Sequence, residues 1–79
     1  MNGKISSVTE LYNRLLPALR TKKHELNRDG IRIVKEKDIW DYNRLYNWKN
    51  ATGLTISSMV DSILNTDGKD YEDFVINKK

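Results

Sequence analysis

Few residues in this 79-residue chain are of the types that do covalent chemistry, and their surroundings limit what they can do. There is no cysteine, hence no disulfide framework and no thiolate zinc site. The single histidine, His24, stands between Lys23 and Glu25. Its helical neighbours Arg20, Thr21, Asn27 and Arg28 supply no nucleophile and no metal partner, so a solvated surface histidine is expected. The run Asn65-Thr66-Asp67-Gly68 looks like part of a calcium loop, but the register refuses it. With Gly68 at the sixth loop position, Ile63 takes the first ligand position and Phe74 stands where the bidentate glutamate must be. No metal and no cofactor are expected. A domain this small also has little room for a closed pocket, so an enzyme is the least favoured class.

What remains is the chemistry of charge and aromatic surface. Residues 1–49 hold eleven Lys/Arg against six Asp/Glu, and the remainder three against five, so the first half suits an acidic partner, nucleic acid included. Arg20, Lys23 and Asn27 recur at helical spacing on one strip, with Lys22 beside it. Arg44 and Lys49 lie near Trp48 further along. Basic side chains interleaved with aromatics can grip phosphates and stack bases. The competing reading is that these cations simply solvate outer helix faces while Tyr12, Tyr42 and Tyr46 pack inward, and the inward stripes favour it. A helix-turn-helix DNA reader is a further option. Ile56-Ser57-Ser58-Met59, after the last turn, is poor in the charge a recognition helix wants.

The elements that must position these groups follow from periodicity. Ser7-Val8-Thr9-Glu10 is a capping-box pattern opening a helix. Val8, Leu11, Tyr12, Leu15, Leu19 and Leu26 then fall on one face. Pro17 interrupts the run, and because the stripe keeps its phase, one helix kinked there is expected rather than two. Gly30 suits the left-handed position past the helix end. Residues 31–34 form an extended connector, where a strand would lack a partner. A second helix is expected over 36–48, with Glu36 and Asp38 in its first turn. Ile39, Tyr42 and Tyr46 share one of its faces, with Trp40 and Trp48 further round. After a turn at 50–53, Thr55 caps a third helix with Ile56, Met59, Val60, Ile63 and Leu64 inward. Tyr71, Phe74 and Val75 suggest one or two closing helical turns.

The sum is an all-α fold: a small bundle of three main helices and a short C-terminal helical turn, in a single domain over 1–79 with frayed tails at 1–6 and 76–79. Two tryptophans in so short a chain, each able to bury roughly 200 Å², mark a core or a docking surface. Trp40 is expected to be mainly structural. The first residues, Met1-Asn2-Gly3-Lys4-Ile5, contain no apolar run of signal-peptide length and nothing downstream could span a bilayer, so the cytoplasm is the expected compartment.

The ordered set of signals resembles the ComN-type post-transcriptional regulators of Bacillus-like Gram-positive bacteria. The likeness rests on Leu11-Tyr12, on Pro17-Ala18-Leu19 with Lys22, Glu25 and Gly30, on Val34 and Asp38-Ile39-Trp40, and on Trp48-Lys49. Leu54, Val60-Asp61, Ile63-Leu64 and Tyr71 complete it, over residues 11–75. The resemblance implies a small cytoplasmic regulator acting on messenger RNA of late competence genes, without cofactor and without catalytic residues. Two departures matter. Lys35 replaces a small hydroxyl residue before the second helix, weakening that cap. Tyr46-Asn47 stands where the family shows two basic residues.

The expected function is therefore a non-enzymatic post-transcriptional regulator working through protein or mRNA contacts. The alternatives are a nucleic-acid-binding module using the basic helix face, or a phage or plasmid accessory domain acting by protein contact. Arg20, Lys22, Lys23, Asn27, Arg44, Trp48 and Lys49 are the candidate partner-binding residues.

Overall fold

The computed structural model describes residues 8–78, in which four helices follow one another and no strand occurs. They are α1 (Val8–Arg28), α2 (Glu36–Tyr42), α3 (Ile56–Asn65) and α4 (Gly68–Asn77), and α2 continues into a π-helical turn, Asn43–Asn47. Ser7, expected to cap α1, lies outside the described residues.

One helix of 21 residues carries the chain through Pro17. Pro17 removes an N–H and crowds the carbonyl of Asn13. Both residues are exposed, so the broken backbone bond falls on the solvent side and the buried side keeps its ladder. The opposite face seats Leu15, Leu19 and Leu26 in the core. At about 100° per residue these positions cluster within roughly 40° of arc, which is why one stripe is buried along the whole length.

Gly30 ends α1 with a positive φ of 92°. The Ile31 N–H returns to the Leu26 carbonyl at 2.8 Å and the Gly30 N–H to that of Asn27 at 3.1 Å. This Schellman closure needs the left-handed residue that glycine supplies without steric cost. The start of α4 lies over the same corner. A Cβ on Gly68 would come within 2.6 Å of Leu26 Cδ2 and 3.2 Å of Ile31 Cδ1.

Thr55 caps α3 reciprocally with Ser58: the Ser58 N–H donates to Thr55 Oγ1 at 3.1 Å, and the Thr55 N–H to Ser58 Oγ at 3.0 Å. The cap of α2 is one-sided, as its lysine implied. Asp38 Oδ2 accepts the Lys35 N–H at 2.9 Å, while the Lys35 side chain has no oxygen to return. At the C-terminal end the structure departs from expectation. The Asn65–Gly68 stop is also a start, because Asp67 Oδ1 accepts the Lys69 N–H at 3.1 Å and caps a ten-residue α4. Residues 76 and 77, expected in a frayed tail, are its last turn.

The second helix departs most. It does not run as one α-helix to Trp48: the Trp48 N–H reaches back five residues to the Asn43 carbonyl at 2.8 Å. In an ideal α-helix Trp40 and Trp48, eight residues apart, would project about 80° from one another. The wide turn absorbs one residue and brings that offset to roughly 20°. The two indoles therefore stack edge to face, with centroids 5.7 Å apart, and both are buried. Tyr46, expected inward beside Ile39 and Tyr42, is displaced by the same turn and is 64% exposed.

A polar network pins the turn. Asn43, fully buried, donates from Nδ2 to the Ile39 carbonyl at 2.8 Å and to the Tyr71 hydroxyl at 3.0 Å. Tyr71 donates in turn to the Ile63 carbonyl at 2.9 Å. Asn47 Nδ2 donates to Asn43 Oδ1 at 2.7 Å. The wide turn, α3 and α4 are thus joined through one amide and one phenol. No buried side-chain nitrogen or oxygen among the described residues lacks a partner, so the network stabilises rather than costs.

Candidate nucleic-acid interface

The seven sequence-derived candidates do not form one surface. Lys22 is the clearest correction. Its side chain is buried inside the α1 stripe, with Nζ donating to the Leu64 carbonyl at 3.0 Å and lying 3.6 Å from Glu25. Leu64 is in the last turn of α3, so the ammonium meets the negative end of that helix and ties α1 to α3. The signal was legible in the spacing: Lys22 falls in register with Leu15, Leu19 and Leu26, the place of a core residue rather than a strip beside one. Trp48 is likewise internal, its Nε1–H donating to Ser62 Oγ at 2.8 Å. Neither side chain is available to a ligand.

Lys23 and Asn27 are half-buried on the flank of α1 that faces α2. Lys23 Nζ lies 3.4 Å from Glu36 Oε1. The Glu36 carboxyl is held below its ordinary value of 4.5, by a backbone hydrogen bond first and then by the charges of Lys23 and Arg20. This flank is an electrostatic joint between the two helices. Arg44 and Lys49 are exposed on another side of the molecule, where the Arg44 guanidinium lies 5.5 Å from the centroid of Trp40. Trp40 itself packs edge-on to Tyr12 at 5.4 Å. It is a core residue with a cation over its ring.

Of the original strip, Arg20 alone is fully turned to solvent, and its neighbours there are different ones. The exposed outer face of α1 is built from Asn13, Arg14, Pro17, Arg20, Thr21, His24 and Arg28. These positions fall within about 120° of arc, opposite the buried leucines. Three arginines and a histidine share that face with one carboxylate, Glu10, which stands one turn before Arg14. Glu25, the other acid of α1, stands just beyond the edge of that arc, its side chain 43% exposed and its carboxylate 3.6 Å from Lys22 Nζ. Arg14, Arg20 and Arg28 take part in no ion pair among the described residues. From Arg14 to Arg28 the face runs about 21 Å, at 1.5 Å per residue.

Such a row is suited to a polyanion. Guanidinium groups stay charged at any physiological pH and present planar, forked donors that match phosphate oxygens. Arg14 and Arg28 lie two helical steps from Arg20 in either direction, beyond Pro17 and His24, so no adjacent step joins one arginine to the next. Their fourteen-residue separation, close to four helical turns, places them on one side.

No group of three or more His, Cys, Asp or Glu side chains that could hold a metal occurs among the described residues. None of the described helices is long and apolar enough to cross a membrane. No curated protein sequence and no solved structure matches the chain. The profile of a family described as "Post-transcriptional regulator" matches residues 8–78, spanning α1 to the end of α4, and the chain belongs to that family.

Proposed function

We propose that this chain regulates by binding rather than by catalysis, and that it contacts messenger RNA directly through the outer face of α1. The observation that carries this reading is the row of Arg14, Arg20 and Arg28, exposed along about 21 Å of one helix with the half-buried Glu10 as the one carboxylate on that face. Phosphate contacts by such a row give affinity without sequence discrimination. Choice of transcript would come from a partner or from RNA shape. The resemblance to ComN-type regulators makes messages of late competence genes the expected targets and the cytoplasm the expected compartment.

A pull-down from native lysate, with and without nuclease, tests this. Transcripts should be recovered with the wild-type protein and lost with Arg14→Glu plus Arg28→Glu. Recovery of the same proteins by both forms, unaffected by nuclease and with no RNA enriched, would point to regulation by protein contact alone.

A further inference from the structure

A second surface, formed by the wide turn and α4, is unlike the arginine face. The turn that draws Trp48 inward leaves Leu45 and Tyr46 side by side and 51% and 64% exposed. Phe74 of α4 lies against Tyr46 with ring centroids 6.0 Å apart, and both touch Tyr42. Phe74 and Lys78 form a ridge between two shallow grooves. One groove carries Tyr46 with Asp70 and Asp73; the other carries Leu45 with Arg44 and Lys49. Asp41 in the second groove is already answered, since Lys78 Nζ lies 3.5 Å from it and 3.1 Å from Asp38. Asp70, Asp73, Arg44 and Lys49 enter no ion pair among the described residues.

We infer that this surface is covered by a second copy of the chain, in a two-fold dimer whose axis runs along the Phe74–Lys78 ridge. The argument is its self-complementarity. Rotation by half a turn about the ridge exchanges the two flanks, so the acidic groove of one protomer faces the basic groove of its partner, twice over. The apolar centre, with Leu45, Tyr46 and Phe74, then meets its own image and is removed from water. A nucleic acid laid on the same ridge would place phosphates against Asp70 and Asp73. An acidic peptide would meet the same repulsion. The dimer leaves the outer face of α1 free and presents it twice, so the inference stands or falls separately from the RNA reading.

Sedimentation equilibrium over a wide concentration range tests it, using the 79-residue chain of 9.3 kDa. The wild type should sediment at twice that mass at high concentration. Lys49→Glu alone and Asp73→Lys alone should each weaken the dimer about fivefold, because each exposed contact occurs twice. An equimolar mixture of the two single variants should restore wild-type affinity, since a heterodimer of that pair is complementary on both flanks. Leu45→Asp should abolish association while the helical circular dichroism is retained. A wild type that stays monomeric at millimolar concentration overturns the inference. So does a dimer indifferent to Leu45→Asp, or a mixture that associates no better than its components.

Discussion

The outer face of α1 and the wide-turn face of α2 and α4 are both exposed and both carry cations, yet they are built on opposite plans. On α1 every buried position is in phase, and the charges on the outer face are mostly basic, three arginines against Glu10. At the wide turn the helix is irregular, large apolar rings remain outside, and charges of both signs flank them. A surface mainly of one sign suits a uniform polymer of the other sign. A surface with two signs around an apolar centre suits a folded protein partner. The contrast arises from a single backbone event, the i→i+5 bond from Trp48 to Asn43, because it decides which aromatic enters the core and which stays out.

The comparison assigns stability to one set of residues and binding to another, so substitutions should separate the two. The largest effect is expected at Trp40, which holds Tyr12, Trp48 and the Arg44 guanidinium together. Trp40→Ala should cost about 3–5 kcal/mol. A domain of this length has about 4–12 kcal/mol in all, so a largely unfolded protein is expected by thermal melt. A cooperative melt within a few degrees of wild type would mean the indole is not the core element described.

Lys22→Met comes next. It preserves the stem but strands the Leu64 carbonyl, and should cost about 1–3 kcal/mol in denaturant unfolding. Were Lys22 a ligand-binding cation, this change would leave stability alone and weaken binding instead.

A smaller effect is expected in alkali. Burial raises the phenol of Tyr71 above its ordinary value of 10.0, and does the same to Tyr42 and Tyr12. The folded state therefore holds these protons more tightly than the unfolded chain. Their contribution is complete below pH 10 and is lost as pH rises through the higher folded values. Unfolding midpoints measured from pH 8 to 11.5 should fall above about pH 10. Tyr71→Phe should be less stable at neutral pH but fall less steeply above it.

Much of the regular plan could be read from the chain alone. The α1 stripe, the Gly30 stop and the Thr55 cap depend on residues within one or two turns of each other, and local spacing carries that information. The resemblance of residues 11–75 to a regulator family was readable in the same way, from ordered single residues. What escaped was set by distant partners. Local spacing puts Lys22 in phase with the core leucines, but the partner of its ammonium, the Leu64 carbonyl, is 42 residues on. The wide turn is held by Asn43 bonding Tyr71, 28 residues on. No window of local sequence contains either pair. The error at Tyr46 followed, since assuming 3.6 residues per turn through 36–48 sends Tyr46 inward and Trp48 out. On the exposed face of α1, Arg20 has Arg14 and Arg28 beside it, whereas Lys22 is buried and Lys23 and Asn27 are half-buried on the flank.

The most direct test of the α1 face is the salt dependence of its affinity for a single-stranded RNA. Each phosphate contact contributes about −0.7 to the slope of log affinity against log salt, so three arginines give a slope near −2. Arg14→Gln with Arg28→Gln should flatten it by about 1.4, while unfolding free energy changes by no more than about 0.5 kcal/mol. An unchanged slope in the double variant, or no RNA affinity at low salt in the wild type, would contradict the assignment of this face to messenger RNA.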